Sequence, residues 1–457
     1  MLNANRDRVT SGDNTNAASR SAQGRPPLRG PWWRVVRGNG LSYHLFCMAD
    51  VTAPVLSFED ARHLVDEHAA KLRPRGKELV ELLEGAGQVL AEPVVADRNF
   101  PPFARAMRDG YAVQAGDLSQ LPAGLEVVGE IKAGAKNDDI PTLRAGQAAG
   151  IMTGAPAPKG ADAVVMVEYT SRGAGRVQIT KSVAAGDNIA PVASEAKRGE
   201  RLLSPGTRLD FAAIAVAASV GKSRLLVYSK PKVAILSTGD EVVDIDVPPS
   251  ATQIRNSNSY SLAAQVEAAG GEAVLLPIAP DQPGRLRELI AEGLESDLLL
   301  LAGGVSMGKY DLVEQVLAEF QAEFFFTGAK IQPGKPVVFG KAPSPQVYFF
   351  GLPGNPVSTM VTFQLFARPV IDALAGVSPR KLTFLKARLK AEIKTKTGLT
   401  RFLPAMLSGE FENAEVELAA WQGSGDIASM ARADCYVVIP PDREKIAAGE
   451  WVPVMLR

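Results

Sequence analysis

The segment Leu298–Asp311 constrains the fold more than any other part of the chain. An apolar run, Leu298 to Ala302, ends in Gly303 and Gly304, and an amphipathic stretch follows from Asp311 to Phe320. This order predicts a strand, a loop and a helix. Glycines permit positive φ and a close approach of backbone to ligand, and the free N–H groups of a helix N-terminus attract anions. The loop is therefore predicted to hold a negatively charged group.

The same loop nearly matches the P-loop pattern G-x-x-x-x-G-K, through Gly303, Gly308 and Lys309. Tyr310, however, stands where that pattern needs a Ser or Thr hydroxyl for Mg²⁺. A nucleotide-binding P-loop is therefore disfavoured. Asp311 either faces a metal or phosphate-bearing ligand or simply caps the helix, and the residues alone leave both alternatives open.

Charge, cysteine and histidine content exclude several functions. Lys plus Arg and Asp plus Glu number 50 each, so no net charge attracts nucleic acid. The two cysteines, Cys47 and Cys435, are too few for a disulfide framework or a cysteine-rich zinc site, and fit a reducing cytoplasm. All histidines lie near the N-terminus; His63 and His68 are expected on an exposed helix face. Any metal is therefore expected on oxygen ligands, which indicates Mg²⁺.

No apolar run reaches the ~18 residues of a membrane-spanning helix, so a soluble, cytoplasmic protein without a membrane partner is predicted. Residues 1–47 are rich in Arg, Ser, Asn and Gly and lack apolar periodicity. They are predicted to be a disordered extension or the product of a start codon assigned too early. A targeting peptide is the weaker alternative, because Asp7 and Asp13 interrupt the basic stretch.

The chain is too long for one hydrophobic core, and roughly three domains are expected from its length. Residues 48–95 and 184–226 are predicted to form one discontinuous linker domain, interrupted by a β-rich insert at 96–183. The first linker segment is expected to hold a helix from Ser57 to about Lys71 and a second near Lys77 to Leu83.

Residues 227–376 alternate strand-like and helix-like segments, which predicts a parallel sheet covered on both faces, with ligands at the carboxyl ends of its strands. Residues 377–457 show short alternating strands and predict a small β barrel or sandwich. The fold class is thus α/β multidomain.

Four further polar loops follow or precede predicted strands of the α/β unit. Each alone is more often an ordinary turn, but four in one unit indicate a ligand site. The loops are Leu236–Glu241, Ile254–Asn258, Ile331–Pro336 and Gly351–Ser358.

Together these segments resemble the MoeA family of molybdopterin molybdenumtransferases, which is related to the gephyrin and plant Cnx E domains. The resemblance runs from about residue 50 to 457, and its motifs stand in the family's order. They are Pro101–Val113, Ile151–Val165, S-T-G-D-E from Ser237, G-G-V-S-M-G-K-Y-D from Gly303, P-G-K-P from Pro333 and G-L-P-G-N-P-V-S from Gly351.

The resemblance implies a homodimer of elongated four-domain subunits with a molybdopterin-binding α/β domain. It implies insertion of molybdate into adenylylated molybdopterin with release of AMP, and Mg²⁺ as cofactor. Suggested protein partners are the upstream adenylyltransferase and molybdoenzyme chaperones. Molybdate and tungstate, both tetrahedral dianions, are not distinguished.

The resemblance also assigns site residues. Asp109, Thr153 and Asp311 are the expected catalytic residues, with Asp109 and Thr153 supplied by the partner's insert, and Asp109, Asp281 and Asp311 the expected metal ligands. The expected cofactor-binding residues are Ser237, Thr238, Gly239, Asp240, Asn256, Gly303, Gly304, Ser306, Lys335, Pro353, Gly354, Asn355 and Ser358.

Three departures from the family pattern bear on activity. The loop before Asp109 reads Ala104–Arg108 where the family usually has D-N-S-A-M, Ala213 replaces a helix glutamate, and Ala193–Glu195 replaces G-E-D. Either Asp210 or Glu195 is a possible substitute for the glutamate.

Arg105 and Arg108 either bind molybdate or face solvent. Two functions therefore stand: the transferase, which is favoured, and a non-catalytic binding or carrier protein for molybdopterin or the molybdenum cofactor on the same scaffold.

Overall fold

The computed structural model describes residues 53–304, 312–378 and 380–457. The predictions for residues 1–47, Ser306 and Asp311 lie outside these ranges. The first helix is Phe58–Ala69, and the Ser57 hydroxyl caps it by accepting from the Asp60 N–H at 3.0 Å. This confirms the helix predicted from the capping signature.

One histidine on this helix differs from expectation. His63 is exposed, as predicted, and approaches Glu67 at 3.2 Å. His68 instead lies against Phe325, with ring centroids 4.0 Å apart, and hydrogen-bonds the Tyr348 hydroxyl at 3.1 Å. The prediction of an exposed His68 was wrong because sequence spacing does not reveal which helix face meets the sheet.

The helix predicted near Lys77 to Leu83 was also wrong, because Lys77–Glu81 is a strand. It pairs antiparallel with Arg224–Tyr228, which lies on the far side of the insert in sequence. The short helix Phe211–Ser219 packs over the same apolar cluster. This pairing joins the two segments assigned to the linker domain, although the domain boundaries themselves stay a prediction.

The insert holds a six-stranded sheet, here called the insert sheet. Four of its five strand pairings are antiparallel, and Ala123–Ile131 lies parallel to Gln147–Ile151. In spatial order the strands are Ala163–Met166, Gly110–Val113, Gln147–Ile151, Ala123–Ile131, Arg176–Ile179 and Thr170–Gly173.

The α/β unit holds the central sheet. Four neighbouring strands are parallel, as predicted, but the last two pairings are antiparallel, because Val338–Pro343 runs opposite to both of its neighbours. Only Ser344 and Pro345 separate Val338–Pro343 from Gln346–Leu352, and so short a connection permits only a hairpin. In spatial order the strands are Glu272–Leu275, Lys232–Ser237, Leu298–Ala302, Gln346–Leu352, Val338–Pro343 and Glu323–Phe326.

Helices and apolar clusters cover both faces of this sheet, as predicted. One cluster includes Val233, Leu300 and Phe350, and the other includes Leu236, Leu299 and Phe349, following the alternation of side chains along each strand. The helices of the unit are Ser257–Ala268, Pro283–Gly293, Leu312–Glu319, Pro356–Thr362 and Arg368–Leu374, the last two joined by a π-helical turn at Phe363–Ala367.

The C-terminal strands close into a five-stranded barrel, which confirms the predicted small barrel. The ring closes because Thr400–Ser408 pairs with both Glu415–Leu418 and Cys435–Ile439. The remaining barrel strands are Leu385–Leu389 and Trp451–Leu456. No helix within the described ranges is long and apolar enough to cross a bilayer.

Short two-stranded ladders supplement these sheets, and one of them, Val55–Leu56 with Gly328–Ala329, joins the start of the described chain to the α/β unit. They are Val55–Leu56 with Gly328–Ala329, Val94–Val95 with Arg201–Leu203, Arg105–Ala106 with Ile189–Ala190, Val242–Val243 with Ile254–Arg255, and Ile393–Lys394 with Lys445–Ile446. Ile331–Gln332 also pairs in parallel with the barrel strand Thr400–Ser408.

Candidate functional site

Three of the predicted ligand loops meet at the carboxyl edge of the central sheet. The strands Lys232–Ser237, Leu298–Ala302 and Gln346–Leu352 are adjacent and parallel, so their carboxyl ends lie side by side. The residues that follow them are Thr238 to Asp240, Gly303 and Gly304, and Pro353 to Ser358. We call this region the edge site; it lies where ligands bind in open α/β sheets.

Gly303 and Gly304 adopt the left-handed conformation, with φ of 93° and 62°. A Cβ at Gly303 would lie 2.8 Å from the Thr238 carbonyl oxygen, and one at Gly304 would lie 2.7 Å from the Thr238 hydroxyl. Gly354 closes the other side, because a Cβ there would lie 3.5 Å from the Gly303 Cα. The three loops are therefore in contact, and side chains at the two glycines would disrupt them.

Two predicted binding residues form a buried network beneath the edge site. The Ser237 hydroxyl donates to Asn256 Oδ1 at 3.1 Å and lies 2.8 Å from the Ser259 hydroxyl. Asn256 also caps the helix Ser257–Ala268 by accepting from the Ser259 N–H at 3.1 Å. Because these polar groups satisfy one another, Ser237 and Asn256 position the loops around the site.

Asn258 ends the predicted ligand loop Ile254–Asn258, but it was not among the predicted binding residues. Its Nδ2 donates to the Gly354 carbonyl oxygen at 2.8 Å, and its Oδ1 is buried without a partner among the described residues. The Thr238 hydroxyl is likewise buried and unpartnered there. Buried polar atoms are normally hydrogen-bonded, so these two oxygens indicate where a ligand or water binds.

The loop Pro333–Pro336 approaches the edge site from the hairpin strand. Gly334, with φ of 103°, packs on the helix Pro356–Thr362, since a Cβ there would lie 2.4 Å from Thr362 Cγ2. Lys335 is half-buried and has no ion pair among the described residues. Val338, soon after this loop, pairs with Gly351, which places the predicted Lys335 near the loop of Pro353 to Ser358.

The residues at the start of the helix Pro356–Thr362 differ in accessibility. Asn355 occupies the N-cap position but makes no side-chain capping bond and is exposed. Ser358 is buried, and its carbonyl oxygen accepts from the Thr362 hydroxyl at 2.8 Å. Thr359 donates to the Pro353 carbonyl oxygen and so holds the turn. Asn355 is thus free to meet a ligand.

Arg401 is a second residue that the sequence interpretation missed. It is only 6% exposed, yet its guanidinium bonds only neutral acceptors among the described residues. Those acceptors are Gln332 Oε1 at 2.8 Å and the Leu399 carbonyl oxygen at 3.1 Å. Loss of solvent lowers the pKa of Arg401. A buried cation without a carboxylate, beside the loop that carries Lys335, suits an oxyanion.

Carboxylates gather at one side of the edge site. The Asp281 N–H donates to Asp240 Oδ1 at 3.0 Å. Desolvation, then the charges of Asp240 and Glu241, raise the pKa of Asp281. These oxygen donors fit the ligand chemistry of Mg²⁺. Within the described ranges, however, no three His, Cys, Asp or Glu side chains form a metal-binding group.

Asp109 and Thr153 form a pair on the insert sheet. Asp109 Oδ1 accepts from the Thr153 N–H at 2.6 Å and from the Thr153 hydroxyl at 2.9 Å. The backbone bond first, then the hydroxyl bond, lowers the pKa of Asp109. Asp109 is exposed, and its Oδ2 has no hydrogen bond to any of the residues that the structure describes. The next position requires glycine, because a Cβ at Gly110 would lie 1.8 Å from the Val165 carbonyl oxygen.

No hydrogen bond or salt bridge among the described residues joins the Asp109–Thr153 pair to the edge site. Asp109 Oδ1 accepts the Thr153 N–H across the sheet, so the backbone N–H that it binds lies outside its own Asp-Gly turn.

The positions that depart from the family pattern are occupied structurally. Ala213 packs in an apolar cluster with Leu90 and Leu209. Asp210 caps the helix Phe211–Ser219 by accepting from the Ala213 N–H at 2.8 Å, and Glu195 pairs with Arg105 at 2.6 Å. Arg108 is exposed without an ion pair among the described residues. Each of these two acids thus holds a structural bond through one carboxylate oxygen.

These features define a multidomain α/β protein with glycine-containing loops gathered at the carboxyl edge of its central sheet and two β-rich appendages. Three family models match the chain in order. They are the MoeA N-terminal region, domains I and II, at residues 56–221; the probable molybdopterin binding domain at 234–373; and the MoeA C-terminal region, domain IV, at 386–456.

Similar proteins extend over nearly the whole described chain. A molybdopterin molybdenumtransferase of Nostoc sp. is 35% identical over 88% of this chain and 94% of its own length. One of Haemophilus influenzae is 32% identical over 83% and 94%, respectively. The crystal structure of the molybdopterin biosynthesis moeA protein from Pyrococcus horikoshii superposes with a TM-score of 0.71 at 29% identity, covering 88% of this chain and 100% of that one. The chain belongs to the MoeA family.

Proposed function

We propose that this chain is a molybdopterin molybdenumtransferase, which inserts molybdate into adenylylated molybdopterin and releases AMP and the molybdenum cofactor. The observation that carries the proposal is the convergence of three ligand loops at one edge in a chain that matches named transferases over most of its length. Nothing in this reaction needs a protein thiolate, since the substrate supplies the dithiolene sulfurs, and the one described cysteine, Cys435, is buried.

The edge site binds the phosphate-bearing part of the substrate. Gly303 and Gly304 let the backbone approach an anion closely, and the hydroxyl of Thr238 and the amide of Asn258 offer unpartnered polar atoms beside them. Lys335 and Arg401 supply positive charge for an oxyanion. Asn355, Ser358 and Ser306 complete the proposed lining.

Mg²⁺ is proposed on carboxylate oxygens at this edge. Asp240 lies beside the predicted ligand Asp281, and Asp311 and Asp109 complete the proposed set. Desolvation first, and then the charges of Asp240 and Glu241, raise the pKa of Asp281, and a divalent cation would offset both the desolvation and the repulsion. When bound, the ion would neutralise phosphate charge as the phosphoanhydride is cleaved.

The catalytic pair Asp109 and Thr153 is proposed to come from a partner subunit in a homodimer. Their separation from the edge-site hydrogen bonds supports a site completed by a second chain. Exposed Leu79, Leu83 and Phe211 in the linker segments provide apolar surface for such an interface. Mixing Asp109→Ala subunits with Lys335→Ala subunits should restore part of the activity. Mixed dimers as inactive as both parents would contradict the shared site.

The proposed activity is tested by supplying purified protein with adenylylated molybdopterin, Mg²⁺ and molybdate and measuring AMP. Saturable AMP release that needs molybdate supports the transferase. Tight binding of adenylylated molybdopterin without AMP release would instead establish a carrier protein. A Gly304→Val variant is the matched negative control, because its side chain would enter the space of Val313 and Thr238.

The proposed setting is the cytoplasm, with the adenylyltransferase upstream and molybdoenzyme chaperones downstream. Pull-down of either partner by the purified chain would test this.

A further inference from the structure

A cleft lies between the first helix, the last helix of the α/β unit and the end of the barrel. Its volume is about 690 Å³, within the range of small-molecule sites. Its walls come from Phe58–Ala69, Arg368–Leu374, the connection after Val377 and the strand Trp451–Leu456. It shares no lining residue with the edge site, so the proposed reaction does not account for it.

The cleft is electropositive. Five cationic side chains line it against two carboxylates, Asp66 and Asp372. The cations are Arg62, Arg368, Arg380, Lys381 and Arg457.

The carboxylates already serve particular arginines. Asp66 accepts from Arg62 at 2.9 Å, and Arg62 also donates to the Leu365 carbonyl oxygen. Asp372 accepts from Arg208 at 3.0 Å and lies 3.8 Å from Arg368. Both carboxylates are thus engaged by other arginines, and Arg380 acts on Asp372 only through its charge, without a salt bridge.

Arg380 and Lys381 are the cations left over. Both are exposed, and neither makes an ion pair or side-chain hydrogen bond with any described residue. They are consecutive on the connection that leads into the barrel, and both line the cleft. Two adjacent cations at a concave site attract an anion.

The rest of the lining is largely apolar. Val377, Leu382 and Leu385 come from the connection and the first barrel strand, and Met455 and Leu456 come from the last barrel strand. A purely inorganic anion would leave this wall unused. A ligand with a charged end and an apolar body would contact both parts.

We propose that this cleft binds a small organic anion, a carboxylate or phosphate monoester on an apolar body, with Arg380 and Lys381 holding the charge. The volume matches a metabolite-sized molecule, and the apolar wall distinguishes this ligand from free phosphate. An acidic peptide is the competing macromolecular occupant, and the experiment separates it.

The test uses phenyl phosphate as probe and isothermal titration calorimetry with the full chain. Benzyl alcohol is the neutral comparison, inorganic phosphate lacks the apolar body, and a hexaglutamate peptide represents the acidic segment. We expect saturable binding of phenyl phosphate that weakens with added salt, with weaker binding of the other three probes.

The variant R380Q/K381Q should weaken phenyl phosphate binding about tenfold, as expected for the loss of two partly exposed charge contacts. The matched control is K386Q/K396Q, which removes two exposed lysines of the barrel region that do not line the cleft. All substituted positions are exposed, so folding should be retained, and melting curves verify it. Absent saturation, equal affinity in both variants, or preferential binding of phosphate or the peptide would overturn the proposal.

Discussion

The edge site and the Asp109–Thr153 pair present two different ways of holding functional groups. At the edge, Ser237, Asn256 and Ser259 are buried and hydrogen-bonded to one another. They hold the edge-site loops in place and so leave other polar atoms of these loops available to a ligand. On the insert sheet, Asp109 is exposed. Among the described residues, only Thr153 donates hydrogen bonds to its side chain, and both bonds end on Oδ1.

This difference indicates that the edge site requires only a ligand, whereas the Asp109–Thr153 pair requires a second surface that covers it. The edge loops are ordered by contacts within this chain, so a ligand meets a prepared surface. The Asp109 carboxylate is oriented but uncovered, and its charge is strongly screened by water until another surface excludes that water. A catalytic site that uses both regions must therefore bring the Asp109–Thr153 pair against the edge site.

The largest effect is expected from removing the Asp109 charge. Asp109→Asn retains an oxygen that accepts from Thr153, so the turn and the melting temperature should change little. AMP release should fall roughly 10²-fold, the usual cost of losing one electrostatic stabiliser of a transition state. Steady-state AMP assays with saturating Mg²⁺ and molybdate measure it.

The matched control is Asp117→Asn. Asp117 lies in the same insert and also accepts from a backbone N–H, that of Gly146, at 2.8 Å. Its substitution should leave activity unchanged. Equal activity of both variants and the wild type would remove Asp109 from the catalytic residues.

The next effect compares two asparagines at N-cap positions of the edge site. Asn256→Ala removes a capping bond and the buried bonds that Asn256 makes to the Ser237 and Ser259 hydroxyls, which then keep only each other, so it should cost about 2 kcal/mol of unfolding free energy. Asn355→Ala removes an exposed side chain without a capping bond and should leave stability nearly unchanged while weakening substrate binding. Urea unfolding measures the first quantity. Similar destabilisation by both variants would contradict the distinction.

A smaller effect is expected at the boundary between the edge site and the barrel. Arg401→Gln removes a buried guanidinium that has no carboxylate partner among the described residues, and should weaken molybdate or tungstate binding about tenfold. Arg388→Gln, which removes a cation lying over the Trp451 ring of the same barrel, is the control. Calorimetric titration with tungstate checks it, and unchanged affinity in both variants would show that Arg401 is structural.

The smallest effect concerns pH. The folded state raises the pKa of Asp281, so this group stabilises the fold fully only below its ordinary carboxyl pKa and loses that contribution as pH rises through the raised value. The melting temperature of Asp281→Asn relative to wild type should therefore increase from about pH 3 to about pH 7 without divalent ions. Asp109, whose pKa is lowered, should give Asp109→Asn the opposite slope. Parallel slopes would contradict the contrast between the two carboxylates.

Local patterns predicted the elements that carry their own signals. The strand Leu298–Ala302 and the loops after it follow from an apolar run broken by glycines, and the helix Phe58–Ala69 follows from the capping by Ser57. The strand Lys77–Glu81 could not be predicted in this way, because its helix-favouring residues pair with Arg224–Tyr228 far along the chain. Tertiary pairing overrides local propensity there.

The location of the site was predictable in outline, because its loops carry local signals of their own. Spacing located the loop Ile254–Asn258, but it could not show that Asn256 turns inward to Ser237 while Asn258 reaches Gly354. Arg401 lies in a different unit of the chain from Gln332, and only the folded backbone brings them together. Such contacts depend on long-range register, which single-sequence patterns do not encode.

The parallel ladder between Ile331–Gln332 and the barrel strand Thr400–Ser408 has a consequence for how this architecture is inherited. Phe402, Tyr436 and Met455 of the barrel lie in the same apolar cluster as Phe58 and Phe366, so barrel and α/β unit share one interior. Recombination between distant relatives that exchanged the barrel alone would mismatch both that interior and the ladder beside Lys335. Crossovers that preserve function should therefore transfer the α/β unit and the barrel as one block.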